Sequence, residues 1–242
     1  MTTLYSASRF QYGAETGDLK TTYGRYLRKL EKYHAGKGTL LEIGCGNGYL
    51  LEQALNDNYR VVVGVEPSRE AVAAAAPQVK NRIVCDIMRP GLFEENQFDV
   101  VCMFQVLDHI AEPVPLLDEC RKVLKPGGLV LAINHNIEAI SARVLGPRSP
   151  ILDIEHTFLF SRSTMRKLFE SRGFLVEETG PVLNTYTLNY LLRLAPLPMP
   201  VKESVLRATH RLGVDSIRTT LPLGNLYLIG RVPRDYHITP RA

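Results

Sequence analysis

Short apolar runs along the chain alternate with segments whose apolar residues recur at helical spacing. Residues 40–43 form the first run, and residues 49–56 follow it with most of their apolar side chains on one helix face. Further apolar runs predict strands at 61–65, 82–85, 98–103 and 129–133. A helix is predicted over 113–124, because its apolar residues share one face and a Pro-Gly-Gly sequence follows it. Strands that alternate with helices indicate an α/β fold with a mostly parallel sheet.

After the fifth predicted strand the pattern becomes less regular. Ser161 or Ser163 is placed to cap a helix, and two more strands are predicted at 174–177 and 225–232. About 45 residues separate these two strands, whereas a few residues usually join neighbouring elements. This long connection contains a predicted helix over 202–212.

The order of these elements predicts one doubly wound α/β domain with a seven-stranded, mostly parallel sheet and with insertions after strands 5 and 6. A chain of 242 residues that is 45% hydrophobic can bury a single large core, so we expect one domain over 1–242. A helix is predicted over 21–33, ahead of the first strand. The expected parts are an N-terminal arm and helix (1–37), a ligand-binding core (38–135), two substrate-pocket insertions (136–160 and 180–224) and a last strand (225–232).

Targeting signals and cysteine usage bear on the cellular location. No stretch approaches 18 uninterrupted apolar residues, and the first residues lack the basic and apolar regions of a signal peptide. We therefore expect a cytoplasmic location. The cysteines form no C-x-x-C pair, which favours free thiols over disulfides or a metal site at Cys45, Cys85, Cys102 and Cys120.

Positive charge is concentrated towards the C-terminal end. Residues 180–242 contain eight Lys or Arg and three Asp or Glu, whereas the rest of the chain contains 21 and 22. This excess is compatible with attraction to an anionic substrate or a membrane surface, and equally with an ordinary solvated helix face. A dense basic stripe with interleaved aromatic residues is absent, so nucleic acid is not an expected partner. The sequence does not indicate the oligomeric state.

A glycine-rich turn follows the first predicted strand. Gly44, Gly46 and Gly48 alternate there, and without a Cβ atom they allow positive φ angles and close approach of a ligand to the main chain. A dinucleotide fingerprint has the different spacing G-x-G-x-x-G, which brings helix amides to a pyrophosphate. The tighter spacing, with Glu42 on the strand itself, favours a ligand with an ammonium group and no phosphate.

Two more acidic residues close the next two predicted strands. Glu66 ends the second strand, where a carboxylate can accept hydrogen bonds from both hydroxyls of a ribose. Asp86 ends the third strand and is placed to accept from an exocyclic adenine amine. Because open α/β sheets bind ligands at the carboxyl ends of their strands, we expect Glu42, Glu66 and Asp86 at one ligand-binding edge.

With these signals the chain resembles the class I S-adenosylmethionine-dependent methyltransferases, which have a Rossmann-like fold. The order also matches beyond Asp86, through the apolar run 98–103 with the turn after it, the helix 113–124, and the sequence Lys125-Pro126-Gly127-Gly128 before the fifth strand. The order and spacing look like those of the broad group of small-molecule methyltransferases that includes the ubiquinone-type and many cell-envelope enzymes. The resemblance is strong over 38–135 and weaker over 150–180.

The resemblance implies S-adenosyl-L-methionine as the cofactor. The residues expected to contact it come from the glycine turn, from the ends of strands 2 and 3, and from the turn after strand 4: Glu42, Gly44, Cys45, Gly46, Asn47, Gly48, Glu66, Pro67, Asp86, Ile87, Phe104, Gln105 and Val106. We expect no metal, because the acidic strand ends are assigned to the cofactor and no further cluster has ligand spacing.

Methyl transfer requires alignment of the reactants and, for a hydroxyl acceptor, a base that removes its proton. A histidine is suited to that task, and three are candidates: His109 after the fourth strand, His135 after the fifth, and His156 in the first insertion. Each can equally orient its own loop. The turn after strand 4 lacks the Asn/Asp-Pro-Pro-aromatic sequence of methyltransferases that act on nucleobase amines, which disfavours base methylation.

The leading hypothesis is therefore O-methylation of a small molecule, a sugar or a lipid-linked precursor. One alternative keeps the fold without catalysis, as a cofactor-binding regulator or partner protein. The other is an NAD-dependent oxidoreductase.

Overall fold

The computed structural model describes residues 15–33, 37–146, 149, 151, 156–195 and 197–235. The first part of the predicted N-terminal arm, 1–14, lies outside these residues. A seven-stranded sheet forms the centre of the fold. Its strands are β1 (Thr39–Ile43), β2 (Val61–Val65), β3 (Ile83–Val84), β4 (Phe98–Phe104), β5 (Leu124–His135), β6 (Leu175–Pro181) and β9 (Asn225–Arg231).

The strand order in the sheet is β3-β2-β1-β4-β5-β9-β6. Strands β1 to β5 pair with one another in parallel, and β9 alone runs antiparallel, between β5 and β6. Because the first five strands run in one direction, the loops that follow them meet at one edge of the sheet. The predicted fold class, a doubly wound and mostly parallel seven-stranded sheet, is confirmed.

Nine helices cover the two faces of the sheet or extend from it within the described residues. They are α1 (Glu15–Lys29), α2 (Tyr49–Asn56), α3 (Arg69–Ala73), α4 (Pro77–Lys80), α5 (Pro113–Val123), α6 (Ile140–Leu145), α7 (Arg162–Ser171), α8 (Leu188–Leu194) and α9 (Met199–Arg211). A 3₁₀ turn, Leu30–Lys32, continues α1. The Ser161 side chain caps α7 by accepting from the Thr164 amide, so Ser161 and not Ser163 is the cap.

The core has two layers, one on each face of the sheet. Helices α1 and α2 pack on one face, where Tyr23, Leu27 and Leu50 are buried. Helices α5 and α7 pack on the other face, through residues such as Leu117 and Phe169. Side chains alternate between the faces along each strand. Glu42 consequently faces the α1 side. The apolar residues before and after it on β1 face the α5 side.

Several element boundaries differ from the sequence prediction, and the starts of β5 and α9 are two of them. Strand β5 begins at Leu124 and not at residue 129, because Leu124 already pairs with Phe98 of β4 across a shift in register. The Pro-Gly-Gly sequence therefore lies within the strand. Helix α9 begins at Met199 and not at residue 202, and Pro200 fits its first turn because no helical hydrogen bond is required of its nitrogen there.

The long connection between β6 and β9 has its own secondary structure. Strands β7 (Asn184–Thr187) and β8 (Arg218–Leu221) form a separate antiparallel pair, and α8 and α9 lie between them in the chain. No local sequence pattern predicted β7 and β8. Among the described residues, no helix combines the length and apolar character needed to cross a membrane.

Candidate cofactor and acceptor site

The glycine turn has the backbone that its spacing predicts. Gly44, Gly46 and Gly48 have φ angles of 69°, 54° and 76°, a region that side-chain-bearing residues rarely adopt. A Cβ atom added at Gly44 would lie 2.7 Å from Cγ2 of Val106, so the loop after β4 also requires a glycine at this point. The turn thus brings bare main chain to the carboxyl edge of the sheet, at the start of α2.

Glu42 lies buried behind this turn, only 2% exposed. Its Oε2 atom is buried and has no hydrogen-bond partner among the described residues. Burial raises the pKa of Glu42 well above its usual value, and the nearby Glu66 raises it further. An ammonium group, with its three donors, would satisfy this oxygen and favour the carboxylate. Glu42 therefore fits the amino acid portion of S-adenosylmethionine.

Glu66 connects the glycine turn to the next helix. Its Oε2 accepts from the Gly46 amide at 2.8 Å, and its Oε1 accepts from the Ser68 amide at 2.8 Å. Ser68 in turn caps α3, after Pro67. Each carboxylate oxygen has a second lone pair, so Glu66 is held in place and can still accept from two ribose hydroxyls.

Asp86, the third acidic residue at a strand end, has different surroundings. Asp86 accepts from the amide of Ile87 at 2.8 Å and from the Arg89 guanidinium at 3.0 Å. These two hydrogen bonds lower the pKa of Asp86. An adenine amine would therefore share Asp86 with Arg89, and the exposed Ile87 side chain lies next to this position. The adenine contact of Asp86 stays a prediction.

Of the two other residues in the glycine turn, Cys45 is buried and Asn47 is half-buried. Cys45 packs against Gly64, where an added Cβ atom would lie 2.5 Å from the Cys45 sulfur. Burial is the largest cause of the raised pKa of this thiol, which makes it a weak nucleophile. Asn47 keeps its buried Oδ1 without a hydrogen-bond partner in the described part of the chain, and so offers an acceptor to a ligand. Cys85 is exposed, unlike the other three free cysteines.

The turn after β4 meets helix α1. Phe104 is nearly buried, and its ring centroid lies 4.6 Å from that of Tyr23. Gln105 has a φ of 54°, and its Nε2 donates to the Tyr23 hydroxyl at 3.1 Å. Val106 faces Gly44 across the turn. The predicted residues Phe104, Gln105 and Val106 thus lie together at this edge, and Tyr23 adds a wall that the sequence analysis did not assign to the site.

The three candidate histidines lie in one cluster. The ring centroids of His135 and His156 are 4.2 Å apart, those of His109 and His156 are 4.8 Å apart, and those of His109 and His135 are 6.4 Å apart. Burial lowers the pKa of His156, and the neighbouring His135 lowers it further. The sequence named these residues as separate alternatives, whereas the fold places them at one site after β4 and β5.

Asp108 is the fully buried residue that organises the cluster, and the sequence analysis did not single it out. Its Oδ2 lies 2.6 Å from Nδ1 of His135 and accepts from the His135 amide at 3.1 Å. Burial acts to raise the pKa of Asp108, but the hydrogen bonds and charge interaction with His135 outweigh it and lower the pKa. The carboxylate therefore holds the Nδ1 proton of His135 and leaves Nε2 as the reactive nitrogen.

Asn134, directly before His135, is a further buried polar residue that the sequence analysis did not assign. Its amide oxygen and nitrogen are buried and make no hydrogen bond within the described part of the chain. Its position at the end of β5 was visible in the sequence, but its complete burial was not, because burial depends on the helices packed over the strand.

One residue that lines a groove of about 500 Å³ directly follows His135 in the chain. Asn136, the second residue after Asn134, lines it together with Arg143, Arg162 and Arg166. Glu138 is an acidic residue in its wall, and Glu170 pairs with Arg166 at 3.1 Å. The groove is therefore lined by more cations than anions, and these cations come from residues 143–166 and not from the C-terminal segment with its positive excess.

Comparison with protein families gives a match over most of the chain. Residues 16–179 match the family described as methyltransferase domain. The chain is 32% identical over 116 residues to a ubiquinone biosynthesis O-methyltransferase of Caulobacter vibrioides, covering 45% of this chain and 46% of that protein. It is 33% identical over 147 residues to a Mycolicibacterium smegmatis protein named as a probable S-adenosylmethionine-dependent methyltransferase, covering 58% and 53%. The chain thus spans about half the length of these curated relatives.

Solved structures share the fold at lower identity. An S-adenosylmethionine-dependent methyltransferase from Archaeoglobus fulgidus superposes with a TM-score of 0.58 and 16% identity, covering 88% of this chain and 94% of that chain. A phosphoethanolamine N-methyltransferase from Haemonchus contortus, in complex with S-adenosyl-L-methionine, gives 0.53 and 19%, covering 93% and 58%. These likenesses concern the fold. The family match shows that the chain belongs to the methyltransferase domain family, and these structures show that it has the Rossmann-like fold of class I S-adenosylmethionine-dependent methyltransferases.

Proposed function

We propose that this chain transfers a methyl group to a hydroxyl oxygen of a small molecule, a sugar or a lipid-linked precursor. The observation that carries the proposal is the contact between Asp108 and His135, which presents Nε2 of a histidine at the edge where the cofactor residues lie. The names of the relatives in ubiquinone biosynthesis support oxygen as the acceptor atom.

The cofactor residues have distinct tasks in this proposal. S-adenosylmethionine supplies a methyl group that its sulfonium already activates. Glu42 binds the ammonium group, Glu66 binds the ribose hydroxyls, and the glycine turn leaves room for the ligand against the main chain. Because the methyl group needs no further activation, the main task of these residues is alignment, which can contribute on the order of 7–11 kcal/mol.

The acceptor hydroxyl has to lose its proton, and His135 receives it. Asp108 keeps the Nδ1 proton of His135 in place, so Nε2 carries the lone pair that accepts the new proton. Asp108 then stabilises the positively charged ring through the same contact. Tyr23 and Phe104, both nearly buried, keep water from this side of the site.

The groove that Asn136 lines supports an acceptor that carries a carboxylate or a phosphate group. Arg143 and Arg162 line it, and arginine recognises both anions through paired donors. Its first lining residue along the chain, Asn136, immediately follows His135. An anionic group in the groove would therefore anchor the acceptor next to the base.

The test is turnover of S-adenosylmethionine to its demethylated product, with fractionated cell extract and a panel of phenols and sugars as acceptors. His135→Gln and Asp108→Asn should each lower turnover by roughly 10²- to 10⁴-fold while S-adenosylmethionine still binds. His210→Gln is the matched control, because His210 also contacts an aspartate, Asp215 at 2.9 Å, but on the surface. Near-full turnover in His135→Gln would show that the base is elsewhere, and binding without any turnover in the wild type would favour a non-catalytic binder.

A further inference from the structure

Three side chains beside the proposed base lie close enough together to be candidate metal ligands. Asp108, His109 and His156 each offer one ligand atom, and these atoms lie within 4.8 Å of one another. Asp108 and His109 follow β4, whereas His156 precedes α7. The sequence predicts no metal because no cluster has ligand spacing along the chain. The fold brings these residues together from segments 47 positions apart.

Asp108 supplies an independent sign of a missing ligand. Its side chain is 0% exposed, and its Oδ1 is a buried atom without a hydrogen-bond partner in the described part of the chain. Both contacts from His135 go to the other oxygen, Oδ2. Leaving a carboxylate oxygen buried and unsatisfied is costly. This oxygen lies 4.0 Å from Nε2 of His109, so it points towards the histidines.

His156 is held as metal-binding histidines usually are. Its Nδ1 lies 2.8 Å from the carbonyl oxygen of Ile151, and a carbonyl can only accept, so Nδ1 carries the proton. Nε2 therefore keeps its lone pair. A backbone carbonyl that fixes the ring of a histidine in this way is the common outer partner of a metal ligand. Asp108 is fixed similarly, through Oδ2 and His135.

We propose that Oδ1 of Asp108, a ring nitrogen of His109 and Nε2 of His156 bind a divalent cation of the zinc class. Two imidazoles and one carboxylate suit Zn²⁺, Fe²⁺ or Ni²⁺, whereas Mg²⁺ and Ca²⁺ prefer oxygen ligands alone. Methyl transfer needs no redox change, which makes Zn²⁺ the natural choice. Around tetrahedral Zn²⁺ the ligand atoms would lie about 3.3 Å apart, so the ligand atoms, which lie within 4.8 Å of one another, have to approach by up to about 1.5 Å.

Three protein ligands leave the fourth position of a tetrahedral cation open. This part of the inference rests on the proposed function: the acceptor hydroxyl binds in the open position, and the cation lowers its pKa. The step is then a proton transfer. The O–H bond breaks, its electron pair stays on the oxygen, and the proton goes to Nε2 of His135, which is linked to the cation through Asp108.

The binding test uses full-length protein treated with EDTA and then titrated calorimetrically with ZnCl₂, with bound zinc counted by elemental analysis. One zinc ion per chain should bind, and His109→Gln and His156→Gln should each weaken binding by about 100-fold or more. His210→Gln should bind as the wild type does, and MgCl₂ should give no comparable binding. Wild-type protein that binds no zinc, or a His109→Gln/His156→Gln double variant that binds it equally well, would overturn the site.

A second measurement separates this inference from the proposed function. S-adenosylmethionine binding and turnover are measured in the EDTA-treated protein before and after zinc is restored. Turnover that rises at least tenfold with zinc, at unchanged cofactor affinity, supports activation of the acceptor. Turnover that is indifferent to zinc overturns that role, even where the cation binds. Failure of the wild type to bind S-adenosylmethionine would instead overturn the proposed function, and the zinc titration would stand by itself.

Discussion

The hydroxyl of Tyr23 accepts a hydrogen bond from Nε2 of Gln105 over 3.1 Å, and this contact attaches helix α1 to the turn after β4. Gln105 has a positive φ of 54°, and its amide donates to the Ile133 carbonyl at 2.6 Å. An unusual backbone conformation at this turn is thus held from both sides. Helix α1 consequently forms a wall of the proposed site, and its attachment to the rest of the fold bears on cofactor binding.

The far end of α1 is attached through Glu178 on β6. Lys29, Lys32, Tyr33 and Tyr227 all contact this carboxylate. Burial acts to raise the pKa of Glu178, but the hydrogen bonds from these residues outweigh it and bring the pKa below its usual value. A carboxyl group whose pKa is lowered by folding stabilises the fold above its unfolded pKa, and that contribution is lost as the pH falls.

We therefore expect the end of α1 to loosen as the pH falls from about 4.5. Hydrogen-exchange protection factors for residues 22–33 should decrease over that range in the wild type. Glu178→Gln should show low protection at every pH. Glu170→Gln, which removes an exposed pair with Arg166, is the control and should behave as the wild type. Equal protection in wild type and Glu178→Gln at neutral pH would contradict this attachment.

Cofactor binding should release a proton from Glu42. Burial raises the pKa of Glu42, so the free protein keeps this carboxyl protonated to a higher pH than usual. The ammonium group favours the carboxylate, so the proton leaves when the cofactor binds, and affinity rises with pH up to the raised pKa. Calorimetry in buffers of different ionisation enthalpy should report release of about one proton below that pKa.

Glu42→Gln tests the origin of this proton, because glutamine has the same shape and does not titrate. Its binding heat should not depend on the buffer, and its affinity should be lower than that of the wild type. Binding heats that are independent of the buffer in the wild type would mean that Glu42 is already ionised in the free protein.

Gly44→Ala should destabilise the fold more than Gly91→Ala. Both glycines have positive φ, which costs alanine about 1–2 kcal/mol. At Gly44 the new methyl group would also lie 2.7 Å from Cγ2 of Val106, which adds about 1–3 kcal/mol, whereas nothing lies within 4 Å at Gly91. Denaturant unfolding measures both, and Val106→Ala in the Gly44→Ala background should recover most of the difference between them. Equal losses at the two glycines would contradict the steric argument.

The parts of the fold that the sequence predicted are those with a local cause. Strand β4 has six of its seven residues buried, so it appears in the sequence as an apolar run that only Asp99 interrupts. Strand β7 has the sequence Asn-Thr-Tyr-Thr, and β8 is mostly exposed, so neither carries an apolar pattern. Their pairing depends on the chain returning after α9, which no local pattern reports.

The residues of the proposed site likewise divide into those that a local pattern predicted and those that depend on contacts between distant parts of the chain. Glu42 and Glu66 were predictable from local patterns. Glu42 lies on the apolar strand that leads into the glycine turn, and Glu66 ends the next apolar strand. Asp108 gave no such signal: its role depends on His135, 27 residues away, and on the burial of both. Tyr23 was predicted only as a residue of a packed helix, since its contact with Gln105 spans 82 residues.

The arginine groove should control the affinity for anionic acceptors. Arg143→Ala and Arg162→Ala should each raise KM for an acceptor with a carboxylate by about five- to tenfold, or roughly 1–1.4 kcal/mol, because both arginines lie at the surface where charge pairs are weak. The kcat value should stay unchanged, since the anion is bound equally before and during reaction. Steady-state kinetics with the acidic acceptor and its neutral methyl ester separate the effect of the acceptor's charge from that of its shape. Arg207→Ala on α9 is the control variant. Equal losses for acid and ester would mean that the groove does not recognise the anion.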